Sequence, residues 1–276
     1  HTRYISVTGV QTCALPIFIQ IQDYLDKIFP DYDIQEFVLN NIAEKLSGRV
    51  RREIFLICTG SGANGKSQFF KFIQKTFGEY YGTFDNSLLN TPKKDANSAS
   101  PAVAALKGIR LAFTTEPKNG QPFETDKLKE YIGGDELVGR HLRQDLIRFV
   151  PQYLMGMMCN DIPEMPSTDD GVWRKVIVIP FESKFISKQE DMYKLKNKQK
   201  YPFHYPAKIQ EHLYPQWAVY FLKMLFERYK VLHANDFKYP IPEKVKSATK
   251  KYQMESNLFS QFFTDCIVIQ PGKLLN

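Results

Sequence analysis

Gly60-Ser61-Gly62-Ala63-Asn64-Gly65-Lys66-Ser67 follows the apolar run Ile54-Phe55-Leu56-Ile57-Cys58 and precedes Phe69, Phe70, Ile73 and Phe77, spaced as on one helical face ended by Gly78. The pattern is G-x-x-x-x-G-K-[ST], and strand, glycine-rich loop and helix are the context in which backbone amides and a helix N-terminus converge on phosphates. Glycine lets the chain turn inward, and a side chain at Gly62 or Gly65 is expected to hinder that turn. All eight residues are therefore candidate binding residues for a nucleoside triphosphate, taken as ATP. Lys66 is expected against the β and γ phosphates and the Ser67 hydroxyl on Mg²⁺. The competing reading is a strand–helix turn that binds nothing, and the agreement of the motif with both flanks weighs against it.

Outward from the loop, the chain reads as an α/β protein. Residues 109–114, 153–159 and 176–179 are short and almost continuously apolar, as strands buried on both faces of a mainly parallel sheet should be. With the strand before the loop they make four strands of a phosphate-loop core over residues 50–185, for which a five-stranded, mainly parallel sheet is expected. Phe18, Ile21, Leu25, Ile28 and Phe29 mark an earlier helix stopped by Pro30, and Asp33-x-x-Glu36 resembles a capping box before Phe37, Val38, Ile42 and Leu46. These form an N-terminal helical segment, residues 18–49. The stretch 82–99 is rich in Asn, Ser, Thr and Pro and reads as loop. Residues 186–276 read as a lysine-rich linker or insertion followed by a mainly helical region. Pro215 opens a helix bearing Trp217, Phe221, Met224 and Leu225; Val245, Ala248 and Tyr252 mark a second, and Asn257 caps a third holding Phe262 and Phe263. The lysines of 187–212 suit either a solvated loop or nucleic-acid contact, the former favoured because no aromatic spacing precedes Tyr201.

Composition narrows the class. A chain of 276 residues with 43% apolar residues, 21 Phe and 15 Tyr can fill a core. The net charge of +7 hints at an anionic partner but fits surface lysine equally well. Cys13, Cys58, Cys159 and Cys266 lie far apart, without the spacing of a zinc site or disulfide framework; Cys58 and Cys159 read as buried thiols of a reducing compartment. No apolar run approaches the length needed to span a bilayer, so a soluble intracellular protein is expected. Residues 1–17 have no periodicity. Within them, 7–17 resemble the conceptual translation of a sequencing-library adapter, and 1–17 are set apart from the fold as an artefact, the alternative being an ordinary flexible N-terminus.

The ends of the other strands carry the remaining candidates. Glu116 ends the run Ile109-Arg110-Leu111-Ala112-Phe113-Thr114-Thr115, where an acid can help hold Mg²⁺ and polarise a water toward the γ phosphate; the alternative is a surface glutamate. Asn160 ends Tyr153-Leu154-Met155-Gly156-Met157-Met158-Cys159 and can orient that water without adding charge, although Asn before Asp161 and Pro163 also suits a plain turn. Arg174, before the run from Val176, could reach a γ phosphate held by a neighbouring subunit. Arg140, His141, Arg143 and Arg148 flank a short polar turn at Gln144-Asp145. They could offer cations to DNA phosphates, or form an ordinary exposed hairpin. Gly133-Gly134-Asp135-Glu136 reads as a turn, since paired glycines make a poor strand end.

The order GSGANGKS, LKGIRLAFTTEP, LKEYIGGDELVGRHL, FVPQYLMGMMCNDIPEMPSTDDGVWRKVIVIPF resembles the superfamily 3 helicases, AAA+ motors of viruses and mobile elements. The closest likeness is to the helicase half of primase-helicases of large DNA viruses, phages and plasmids. The resemblance runs from about residue 35 to 265. It implies Lys66 and Ser67 in the Walker A role, Glu116 in Walker B, Asn160 as sensor, Arg174 as arginine finger and a DNA-gripping hairpin within residues 129–149. Thr115 departs from the pattern where many relatives carry a second acid, and Lys175 replaces the second arginine of Trp-Arg-Arg. The expected function is an ATP-driven DNA helicase acting on single-stranded or forked DNA as a homo-oligomeric ring, most simply a hexamer. A primase domain is expected upstream, and the site of action is the host cytoplasm or a viral replication site. The alternatives are a DNA-encircling assembly module without unwinding activity, and a small-molecule kinase, for which no acceptor pocket is legible.

Overall fold

Strands that are apolar on both sides have to be covered twice, and this sheet is. The computed structural model describes residues 15–90, 100–115, 123–163, 165, 169–208 and 210–256. Glu116, most of the segment set apart at the N-terminus, Cys13, Cys266 and the expected third C-terminal helix with Asn257, Phe262 and Phe263 lie outside the described residues.

Strands β1 (Phe55–Thr59), β2 (Tyr81–Thr83), β3 (Leu111–Thr115), β6 (Leu154–Met158) and β7 (Val176–Pro180) form one all-parallel sheet in the order β2-β3-β6-β1-β7. This is the expected five-stranded α/β core. Between β3 and β6 stands an antiparallel hairpin of β4 (Leu137–Arg140) and β5 (Leu146–Phe149), and beyond β7 a small parallel pair of β8 (Lys184–Ile186) and β9 (His204–Pro206). The helices are α1 (Leu15–Ile28), α2 (Tyr32–Glu44), α3 (Lys66–Phe77), the short α4 (Ser87–Asn90) and α5 (Pro101–Ala104), α6 (Thr125–Ile132), the short α7 (Asp170–Trp173) and α8 (Tyr193–Lys196), α9 (Tyr214–Ala234) and α10 (Glu243–Ser256).

Alternate residues of each central strand feed two separate cores. Leu56, Cys58, Leu111, Phe113, Ile177 and Ile179 pack under α1, α2, α3 and α9. Phe55, Ile57, Ala112, Met155, Met157, Val176 and Val178 pack against α4, α5, α6 and α7. On the first face, Trp217 and Phe221 of α9 are fully buried among Tyr24, Phe72 and Tyr214. The N-terminal helices and α9 thus form one layer with α3. Helix α10 lies along the edge strand β7, where Thr249 Oγ1 accepts the Val178 amide at 2.9 Å and so satisfies a donor that an open edge would leave unpaired.

Four local expectations need correction. The fifth strand is β2, inside the stretch read as loop: three residues with a central glycine are too short to show alternation. Helix α1 starts at Leu15, within the segment set apart. Helix α2 is capped by Asp31, whose carboxylate accepts from the Asp33 and Ile34 amides, rather than by Asp33; Glu36 instead receives both terminal nitrogens of Arg228, at 2.6 and 2.7 Å. The hairpin loop covers 141–145, and its turn bonds the Gln144 amide to the His141 carbonyl, so Leu142 and Arg143 stand at the tip instead of Gln144-Asp145.

Candidate nucleotide site

The loop between β1 and α3 has its carbonyls held from outside. The Ala63 carbonyl accepts the Phe185 amide of β8 at 2.7 Å, and the Gly62 carbonyl accepts Lys184 Nζ at 2.5 Å. Among the described residues, the amides of Ser61, Gly62, Ala63, Asn64 and Gly65 donate to no protein acceptor. Five main-chain donors in one exposed turn at a helix N-terminus suit an anion. Gly65 has φ +86° and Ala63 φ +61°, so the loop is wound partly in the left-handed region. Asn64 is buried; its Oδ1 accepts the Lys66 amide at 3.2 Å, and its buried Nδ2 has no protein partner. Gly62 corrects an expectation, because a methyl there would meet no protein atom within 4 Å.

Lys66 and Asn160, 94 residues apart in sequence, meet directly. Lys66 is almost wholly buried, and its Nζ donates to the Gly60 carbonyl at 2.6 Å and to Asn160 Oδ1 at 3.3 Å. Because β6 lies between β1 and β3, Asn160 emerges beside the phosphate loop and beside the tip of β3. The Asn160 carbonyl accepts Thr59 Oγ1 at 3.0 Å, and the register pairs Met158 with Thr115, the residue before Glu116. That tip is held by Asn86, which sequence reading missed: its Nδ2 donates to the Thr115 carbonyl at 2.7 Å and its Oδ1 accepts Thr114 Oγ1 at 3.1 Å. No spacing rule would have linked Asn86, in a loop, to the end of a strand 28 residues later.

The chemistry of the donors fits Mg²⁺ as far as they are described. Ser67 is exposed in the first turn of α3, next to Lys66, and offers the hard oxygen that this ion prefers. No cluster of three or more His, Cys, Asp or Glu side chains gathers among the described residues. Cys58, directly below the loop, is buried, and burial pushes its thiol pKa well up, so it stays protonated and inert. Cys159 is likewise buried and in no disulfide. Beside the loop, against Gly65 and Gln68, opens a cleft of about 280 Å³ walled by Ile28, Phe185 and Tyr214, with Gln210, Lys27 and Lys208 among its polar lining.

Arg174 is not brought to this loop. Strands β1 and β7 are parallel, with Phe55 beside Val176 and Thr59 beside Pro180, so the loop follows one end of the sheet and Arg174 precedes the other. The five residues of β7 between them amount to ~16 Å. Arg174 is exposed, and its Nε donates to the Asp170 carbonyl at 3.3 Å. Lys175 instead pairs with Glu53, and Asp169, the N-cap of α7, pairs with Lys129 of α6. The Lys129 ammonium beside it and the Gly171 amide hold the Asp169 carboxyl below the usual range.

The hairpin projects cations unevenly. Arg143 is exposed at the tip with φ +59°, next to Leu142 at 73% exposure. Arg148 is exposed but bonded to Glu136 at 3.0 Å. Arg140 and His141 are half-buried, and Ser100 bridges the Arg140 backbone, tying the hairpin to α5. Gly133 to Asp135 form bends after α6, and no strand ends there, as read.

No family model matches the chain. It is 35% identical over 253 residues to "Putative helicase L207/L206" of Acanthamoeba polyphaga mimivirus, covering 91% of this chain and 26% of that protein. It is 28% identical over 269 residues to "Putative helicase 184R" of Invertebrate iridescent virus 6, covering 92% and 28%. It is 22% identical over 252 residues to "Putative primase C962R" of African swine fever virus (isolate Warthog/Namibia/Wart80/1980), covering 90% and 26%. The chain is thus a relative of proteins of large DNA viruses that carry helicase and primase names, in line with its resemblance to the viral superfamily 3 helicases, and spans about a quarter of their length. No helix among the described residues is long and apolar enough to cross a membrane.

Proposed function

We propose that this chain is the ATP-hydrolysing motor segment of a viral DNA helicase, and that its nucleotide site is completed by a second copy. The observation that carries the reading is the pairing of Lys66 with Asn160 under an open ring of amides, while Arg174 stands at the far end of the sheet. An arginine there is useful to a bound triphosphate only from a neighbouring subunit, which ties catalysis to a ring.

The loop amides and Lys66 would hold the β and γ phosphates, with Lys66 leaving the Gly60 carbonyl for a stronger, charge-assisted acceptor. Mg²⁺, held by Ser67 and Glu116, would neutralise charge on the β and γ oxygens when bound. Asn160 orients a water, and Glu116 takes its proton as the water oxygen bonds to phosphorus and the bond to the bridging oxygen of ADP breaks. The neighbour's Arg174 stabilises the charge that spreads over the γ oxygens. The cleft against Gln68 would seat the nucleoside, whose ring can lie on Phe185 and Tyr214. Arg143 and Leu142 at the hairpin tip offer a charge and an apolar side chain to the backbone and bases of one strand, a sequence-indifferent grip.

The test measures ATP turnover of the full-length protein against single-stranded DNA concentration, with its mass in solution. DNA-stimulated turnover in an oligomer, abolished by Lys66→Ala, supports the motor; a DNA-indifferent monomer would sink it. A forked-duplex assay with hydrolysable and non-hydrolysable ATP separates a helicase from a DNA-encircling module, which would bind the fork without opening it.

A further inference from the structure

Like Ala248, Tyr252 of α10 packs on the far side of the sheet. It is buried, 4% exposed, in the core on the α6 and α7 face, whereas Val245 two turns earlier belongs to the core on the α9 face. Its hydroxyl donates to the Pro163 carbonyl at 2.7 Å, and its ring meets Trp173 edge-on with centroids 5.3 Å apart. Pro163 stands three residues beyond Asn160, and Trp173 immediately before Arg174. One side chain therefore touches both the loop that answers to this chain's own nucleotide and the segment aimed at the neighbour's.

Three facts make this contact a coupling rather than a filler. The helix that carries Tyr252 is fixed to the sheet edge by Thr249 and to the rest of the fold by Lys244, which pairs with Asp31 at 2.9 Å and Glu182 at 3.1 Å. Among the described residues the finger segment is also tied by ion pairs of Asp169 with Lys129 and of Lys175 with Glu53, but these are partly exposed pairs of the kind that contribute little. The buried, hydrogen-bonded link is the strong one. Moreover, the acceptor is a main-chain carbonyl, so any displacement of residues 160–163 has to move the tyrosine or break its bond.

We propose that Tyr252 is a positioning residue that couples the Asn160 loop to Arg174, so that a change at one nucleotide site resets the finger presented to the next. This rests on the reading of the site as an intersubunit ATPase. When Asn160 exchanges Lys66 for the water and γ phosphate, the shift passes through Pro163 to the Tyr252 ring, and from there to Trp173 and Arg174.

Subunit mixing tests it. In the full-length protein, Glu116→Gln subunits are expected to hold ATP without turning it over and keep their finger, and Arg174→Ala subunits keep their loop, so a mixed ring recovers turnover at the sites that combine the two. Adding Tyr252→Phe to the Glu116→Gln partner, whose Asn160 loop then faces a retained γ phosphate, should cut the recovered kcat about fivefold with KM for ATP unchanged, the effect of one neutral hydrogen bond. An unchanged recovered rate overturns the coupling, as does a fall in Tm alone or a rise in KM alone. Should Tyr252→Phe fail to fold, Trp173→Phe on the same partner is expected to give the same kcat loss, and a wild-type rate there refutes the proposal equally. If the parent mixture recovers nothing although wild type turns over, the intersubunit site itself is wrong and the coupling falls with it.

Discussion

Replacing Gly65 by alanine tests whether the phosphate loop is held in place from behind. A methyl at Gly65 would lie 2.4 Å from Ile28 Cδ1 and 2.9 Å from Phe185 Cε2, and the backbone there has φ +86°. Holding an alanine in the left-handed region costs roughly 1–2 kcal/mol. Pushing back the end of α1 and the ring of β8 adds about 1–3 kcal/mol, the usual range for overpacking. The sum, ~2–5 kcal/mol, corresponds to a fall in Tm on the order of 5–15 °C for a chain of this size.

Gly62→Ala is the internal control. No protein atom lies within 4 Å of the added methyl, so its stability should stay within ~0.5 kcal/mol of wild type. If a phosphate approaches the loop at Gly62, the control will lose nucleotide affinity without losing stability, whereas Gly65→Ala will lose both. Thermal scanning without ligand and titration with a fluorescent ATP analogue separate the two effects. Wild-type melting of Gly65→Ala, or equal destabilisation by the two variants, would refute the argument that α1 and β8 brace the loop.

Arg174→Ala should lower turnover about 10³-fold, at the lower end of arginine-finger effects, with ATP binding retained. Lys175→Ala, which removes only an exposed pair to Glu53, should change kcat by less than about fivefold; equal losses in a turnover assay would remove the distinction. In the N-terminal helices, Glu44 and Lys45 form a buried ion pair at 3.2 Å, with the Tyr239 hydroxyl on Glu44 at 2.9 Å. Lys45→Met should cost ~3–5 kcal/mol in urea unfolding by stranding a buried carboxylate, and Glu44→Gln added to it should recover most of the loss. Burial holds the Lys45 pKa below its ordinary 10.5 despite Glu44, so the unfolded chain binds this proton more readily. Its contribution to stability therefore rises as pH climbs from the folded pKa toward 10.5, a slope that Lys45→Met should remove.

The core was legible because burial on two faces writes itself as continuous apolar runs. Phe55–Thr59, Leu111–Thr115, Leu154–Met158 and Val176–Pro180 could be read directly, within two residues of their ends. Tyr81–Thr83 could not, since an edge strand of three residues needs no such run. Lys184 and Phe185 escaped notice for a different reason. They act on the loop through its carbonyls, and a main-chain acceptor leaves no mark on the sequence of its donor. The cap of α2 shows the limit of pattern matching: Asp31 and Asp33 are both good caps, and what decides between them is that Glu36 is drawn away to Arg228.

The sequence names candidate residues one by one but not their arrangement. That Lys66 and Asn160 touch follows from β6 lying between β1 and β3, and strand order is set by crossovers that no local stretch encodes. The same parallel register carries Arg174 away from Lys66. Right-handed parallel crossovers put every β-to-α loop at one end of the sheet and every α-to-β entry at the other, so a residue just before a strand cannot serve the loop just after its neighbour. Asn160 follows its strand and joins the site; Arg174 precedes its strand and is excluded from it. An arginine in that position has to work on another copy, where the motor reading holds, or has no part in the chemistry, and Tyr252 touches segments that lead to both ends.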